Sequence, residues 1–225
     1  MTRARTHEIS RLEGFSDAVF AFALTLLVVS LEVPRSYGEL MDLMGGFLSF
    51  ACCFALLVWI WHEHNTFFRR YGLQDGVTIA LNAGLLFVVL FYVYPLKFMF
   101  DSMFARFVPR AHAPERMELW QLANASAVYA LGFVALFVMF VLLYRRAYAK
   151  RAELGLTAVE VFDLKSLAGH HVMSAGVGGV ALGIALFAPE SFAPLSPTSL
   201  VLMGPAHFTW GYLRGRRRPP VTAHA

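Results

Sequence analysis

The chain has 225 residues, of which 58% are hydrophobic and only 15% charged, and its mean hydropathy is +0.57. A soluble domain carries about 25% charged residues, so this composition excludes an ordinary soluble domain and indicates a bilayer protein. The net charge of +4 does not indicate nucleic acid, because the basic residues cluster at the ends of apolar runs, as membrane orientation requires.

Six apolar runs predict an all-α integral membrane protein with six transmembrane helices per subunit. The first covers residues 13–31 and ends at Val33-Pro34, with no cleavable signal peptide before it. The second covers residues 41–61 and contains Cys52 and Cys53, adjacent residues that diverge on a helix and are not expected to form a disulfide. The third covers residues 75–100. After a charged connection at residues 101–118 the fourth covers residues 119–144. The fifth covers residues 167–187. The sixth, at residues 195–213, is the least apolar and holds Pro205, His207 and Thr209. These runs form one expected domain, residues 1–215, followed by a short basic tail, residues 216–225.

Orientation follows from the Lys and Arg count. With six spans, one side holds Arg3, Arg5, Arg11, Arg69, Arg70, Arg145, Arg146, Lys150, Arg151, Lys165, Arg214, Arg216, Arg217 and Arg218, fourteen in all. The other side holds Arg35, Lys97, Arg106, Arg110 and Arg116, five in all. The positive-inside rule then puts both termini in the cytoplasm, and the expected location is the cell membrane.

The first run has a charged entrance, Arg11-Leu12-Glu13-Gly14-Phe15-Ser16-Asp17, ahead of Ala18 to Val29. Ionisable groups at membrane depth are costly and pair with polar partners. Ser16 and Asp17 lie near the start of the helix, where they could cap free backbone N–H groups. Ala18, Phe22, Thr25 and Val29 are spaced four, three and four, which aligns them on one helical stripe.

The pattern Arg-x-x-x-Phe-Ser-Asp at the start of a first membrane helix resembles the signature of the transmembrane protein 175 family of endosomal and lysosomal potassium channels and their prokaryotic homologues. Trp61 and His64, in a W-x-x-H arrangement, Asp75, Asn82 and Pro95 extend the likeness over about the first hundred residues. The resemblance implies a homotetramer in the lipid bilayer, with the first helix of each subunit lining a central pore for potassium and other monovalent cations. The sequence holds no Gly-rich phosphate loop, nucleophile elbow or plausible Ser/His/Asp set, so neither a cofactor nor enzymatic activity is expected. Carried over by position, the resemblance makes Phe22 the tightest constriction, Leu26 and Val29 further apolar gate layers, and Thr25 a hydroxyl ring for selectivity. Phe22 departs from the family, which has Ile or Leu there. The resemblance also implies a polar network of Arg11, Ser16, Asp17, His64, Asp75 and Asn82 at the cytoplasmic end, with Phe15 in the same signature.

Other features carry less. His62, Glu63 and His64 lack the i, i+4 spacing that puts two metal ligands on one helical face. His170 and His171 are expected at a membrane interface. Ala175, Gly179 and Gly183 form a small-residue ridge suited to helix packing. The competing function is a proton-coupled transporter or proton leak using Asp17 and nearby histidines, although the two halves of the chain show no repeat.

Overall fold

The computed structural model describes residues 10–105 and 117–217. Arg3, Arg5, Arg106, Arg110, Arg116 and Arg218, most of the charged 101–118 connection and the end of the basic tail lie outside these residues. The described residues are all-helical: α1 (Arg11–Val29), α2 (Tyr37–Gly45), α3 (Phe47–Tyr71), α4 (Gly76–Phe104), α5 (Leu119–Ala149), α6 (Ala158–Phe187), α7 (Leu195–Thr198) and α8 (Met203–Arg216).

Local chemistry sets the ends of the helices. Ser10 caps α1, accepting from the Glu13 backbone N–H at 3.1 Å while the Ser10 N–H donates to Glu13 Oε2 at 2.8 Å. That reciprocal capping box occupies the helix start. Ser16 and Asp17 therefore lie in the second turn and do not serve as caps. The second expected span divides at Gly45-Gly46 into the short α2 and a long α3, which runs ten residues past Trp61 to Tyr71. Gly72 ends α3 with φ +58°, a left-handed conformation that glycine adopts without steric cost. Asp75 caps α4, accepting from the N–H groups of Val77 and Thr78. α6 begins at Ala158, nine residues before the expected start, behind a Thr157–Glu160 capping box.

Among the described residues five helices, α1, α3, α4, α5 and α6, are long and apolar enough to cross a membrane. The sixth expected span is not one such helix. Residues 195–216 form α7, a 3-10 turn (Ser199–Leu202) and α8 in series. Pro197 and Pro205 explain the interruption, since neither can donate a backbone hydrogen bond. Pro205 in particular leaves the Val201 carbonyl without its helical donor. The interrupted segment nevertheless runs antiparallel along α6. Ser196 Oγ donates to the Ala181 carbonyl at 2.8 Å, His207 Nε2 meets Ser174 Oγ at 2.9 Å, and Trp210 Nε1 donates to the Ser166 carbonyl at 3.0 Å. Arg214 closes the pairing on Ser166 Oγ at 2.9 Å and the Phe162 carbonyl at 3.3 Å.

The core lies between α3, α4, α5 and α6. Phe67, Phe68, Tyr71, Tyr92, Phe137, Phe140 and Tyr144 are buried there, with ring centroids such as Phe67–Tyr144 at 5.1 Å and Phe133–Phe137 at 4.7 Å. Aromatic rings of this kind supply large buried area and directional contacts. His171 is only 3% exposed and stacks on Phe140 at 4.8 Å, so it belongs to this core and not to an interface. On α6 the glycines that admit close packing are Gly169, against Trp210, and Gly178, against Phe133; Gly84 against Met139 and Gly132 against Tyr92 do the same between α4 and α5. Gly179 and Gly183 of the expected ridge face open space. Cys52 and Cys53 are free thiols.

α1 packs on α3 and α4 and lies at the edge of the bundle. This edge position determines which of its faces is covered.

Candidate functional site

α1 has two opposed stripes. Ser16, Phe20, Ala23 and Leu27 are buried against α3 and α4. They are spaced four, three and four. Ala18, Phe22, Thr25 and Val29 have the same spacing but start two residues later, which rotates them by about 200° around the helix. All four are exposed in the single chain, Phe22 at 55% and Val29 at 70%. Leu26 is half-buried beside this stripe. An apolar surface of this kind, running the length of a membrane helix, requires a partner, lipid or a pore.

Thr25 is the polar residue on the exposed stripe. Its Oγ1 donates to the Ala21 carbonyl at 2.9 Å. This bond uses the hydroxyl proton and leaves oxygen lone pairs directed away from the helix. A hydroxyl held in this way can act only as an acceptor towards a further group, which is the chemistry that a cation requires.

The polar network at the start of α1 forms in part. Ser16 Oγ donates to the Leu12 carbonyl at 2.8 Å and accepts from Asn82 Nδ2 at 2.9 Å. Asn82 Oδ1 in turn meets His64 Nε2 at 2.7 Å. With Asn82 Nδ2 engaged by Ser16, the pairing is consistent only if His64 Nε2 carries the proton. Ser16, His64 and Asn82 are each 1% exposed or less. Phe20 and Phe68 flank the imidazole at 5.4 and 4.6 Å between centroids. This chain of bonds links α1, α4 and α3 in a dry environment, where a missing partner costs more than the bond itself contributes.

Asp17 points away from that chain. It accepts from Trp61 Nε1 at 2.8 Å. Trp61 and His64 are three residues apart and so share a face of α3, where they hold the neighbouring residues Asp17 and Ser16. Asp75 stands apart from the network. It binds Thr78 Oγ1 at 2.7 Å and Arg146 at 2.8 and 3.1 Å, tying the α3–α4 connection to α5. Burial pushes its carboxyl up, but the Thr78 hydroxyl and backbone N–H and the Arg146 guanidinium outweigh this and hold it at about 2. Arg11 and Phe15 are exposed, and among the described residues no hydrogen bond or ion pair joins Arg11 to the network. The partners that sequence reasoning missed are Arg146, counted only as an orientation charge, and Trp61 as the donor to Asp17. The W-x-x-H spacing was the available signal for Trp61.

Comparison with known proteins gives one consistent result. The family described as "Endosomal/lysosomal potassium channel TMEM175" matches residues 11–92. A protein of Marivirga tractuosa named "Potassium channel" is 40% identical over 197 residues, covering 82% of this chain and 78% of that protein. A potassium channel of Chamaesiphon minutus is 29% identical over 148 residues, covering 62% of this chain and 66% of its own length. Among solved structures, a variant of the potassium channel MtTMEM175 in complex with a nanobody fusion superposes with a TM-score of 0.82 at 35% identity, covering 95% of this chain and 97% of that one. A lysosomal potassium-selective channel TMEM175 homologue from Chamaesiphon minutus shares the fold, with a TM-score of 0.59 at 24% identity over 89% of this chain and 96% of its own.

Proposed function

Because the chain belongs to the endosomal/lysosomal potassium channel TMEM175 family, we propose that it is a potassium channel, passing ions passively through a central pore formed by the α1 helices of a homotetramer. The observation that carries this reading is the pair of opposed stripes on α1. One stripe is packed against the same chain, and the other is apolar, exposed and interrupted by a single hydroxyl. One helix cannot enclose a pore, so this reading needs several copies with these stripes on a shared axis, and the family resemblance implies four.

In that arrangement Phe22 forms the constriction, Leu26 and Val29 form further apolar layers, and Thr25 offers its lone pairs to a partly dehydrated cation. Narrow apolar rings gate by expelling water, and a phenyl ring can also present its π face to the ion. Ser16, Asn82 and His64, with Asp17 on Trp61, brace the start of the helix. Asp17 held by an indole N–H supports a structural role for it over one in a proton relay. The antiparallel run of residues 195–216 along α6 supports a return crossing, and so six spans with both termini on the Arg-rich cytoplasmic side of the cell membrane.

The test is flux through liposomes containing the pure protein under a K⁺ gradient. Wild type should pass K⁺ down its gradient without saturating. Phe22→Ala should raise the conductance, and Thr25→Val should change the K⁺ to Na⁺ ratio read from the reversal potential. A protein that elutes as a tetramer and carries no K⁺ would refute the proposal.

A further inference from the structure

Three basic residues at the Arg-rich end of the bundle are neutralised by carboxylates. Arg70 pairs with Asp163 at 3.2 Å, Arg146 with Asp75 at 2.8 Å and Lys150 with Glu153 at 2.7 Å. Arg151 and Lys165 are different. The Arg151 guanidinium carbon lies 4.5 Å from the centroid of the Tyr148 ring, and Lys165 Nζ lies 4.9 Å from the same centroid. Both side chains are exposed, and among the described residues neither has a carboxylate partner. Both cations lie against one ring, and an anion that reaches both would offset their mutual repulsion.

The backbone holds Arg151 there. The α5–α6 connection is closed by hydrogen bonds from Leu154 N to the Lys150 carbonyl at 2.9 Å and from Leu156 N to the Arg151 carbonyl at 3.0 Å. Gly155 makes the turn with φ +61°. Arg151 Nη1 also donates to the Tyr148 carbonyl at 3.0 Å. Arg151 is thus positioned before any ligand arrives.

A second observation identifies the ligand. On α6 a straight stripe at spacings of seven and four leads from Lys165 to Val172 and Gly176. Val172 is 53% exposed, and a Cβ built on Gly176 meets nothing within 4 Å. At 1.5 Å per residue these positions lie about 10 and about 16 Å from Lys165 along the helix. That depth matches one leaflet of a hydrocarbon core about 30 Å thick. A cationic, aromatic head site therefore opens onto a shallow apolar track of one leaflet's length.

We infer that Arg151, Lys165 and Tyr148 hold the phosphate of an anionic phospholipid, with an acyl chain lying along Val172 and Gly176 of α6. Lipid fits better than soluble phosphate, because only lipid uses both the charged head site and the track. The inference requires that α5 and α6 cross the membrane and does not depend on which helix lines the pore.

The test is native mass spectrometry of the full-length tetramer with phosphatidylglycerol and with phosphatidylcholine of identical chains. Phosphatidylglycerol should be retained and phosphatidylcholine lost. In the R151Q/K165Q variant, retention of phosphatidylglycerol should fall by roughly thirtyfold, as expected for two interfacial cations. Gly176→Leu, which fills the track, should weaken retention while the tetramer stays intact. Equal binding of the two lipids, or unchanged phosphatidylglycerol binding in R151Q/K165Q, would overturn the inference. Loss of the tetramer in Gly176→Leu would assign the track to a second copy of the chain and overturn it as well. K⁺ flux is a separate readout, so a failed pore and a failed lipid site would be told apart.

Discussion

The buried and exposed stripes of α1 share a spacing but not a chemistry. The buried stripe has Ser16 hydrogen-bonded through Asn82 to His64, with Phe20, Ala23 and Leu27 packed below. The exposed stripe has Phe22 and Val29 with Thr25 between them. Substitutions on the first should cost stability, because they orphan buried groups or open cavities. Substitutions on the second should leave the subunit folded and change what passes through the assembly. A helix that separates these two demands by half a turn can vary its exposed face, the conducting surface on the proposed reading, without loosening its anchor.

The largest expected effect lies on the buried side. Asn82→Ala orphans the buried His64 Nε2 and removes the donor to Ser16 Oγ, and should destabilise the protein by about 3 kcal/mol, seen as a lower Tm in detergent. Phe22→Ala should stay within about 0.5 kcal/mol of wild type, as exposed positions do. If these two variants melt alike, the contrast between the faces fails. Trp61→Phe comes next. It keeps an aromatic ring, though a smaller one, and removes the donor to Asp17, and should cost about 1 kcal/mol in the same melting assay.

The smallest effect concerns Asp75, which sharpens the comparison because it lies outside both stripes. Its carboxyl is held at about 2, below the ordinary value near 3.9. A depressed folded-state value contributes stability above the unfolded value, and this contribution is lost as pH falls from about 4 through about 2. Asp75→Asn should flatten the acid limb of a stability–pH profile by about 1 kcal/mol or less, since the ion pair with Arg146 is partly exposed. K⁺ flux at neutral pH should persist.

On α1 the spacing of residues 18, 22, 25 and 29 was legible in the sequence, but residues 16, 20, 23 and 27 share it, and the family likeness, counted from Asp17, chose between the two faces. The partners of α1 were less legible. Which residue of α3 meets Asp17 depends on how α3 is rotated against α1, and hydropathy does not encode rotation. The family likeness grouped Asp75 with His64 and Asn82, yet Asp75 stands at the turn before α4, where capping and Arg146 engage it. The ends of α3 and α6 were set too short because helices continue past the apolar run. Arg69, Arg70 and Glu160 are helical residues that a membrane-length criterion leaves out. The last span was drawn as one helix because its composition suffices, whereas Pro197 and Pro205 interrupt its hydrogen bonding.

The most direct measurement is cysteine scanning of α1 in a channel with Cys52 and Cys53 replaced by alanine. Single cysteines at 18, 22, 25, 29, 20, 23 and 27 would be treated with a charged thiol reagent while K⁺ current is recorded. Block at 18, 22, 25 and 29, with none at 20, 23 and 27, is the expected result. Block at the second set, or at neither, would contradict a pore lined by the exposed face of α1.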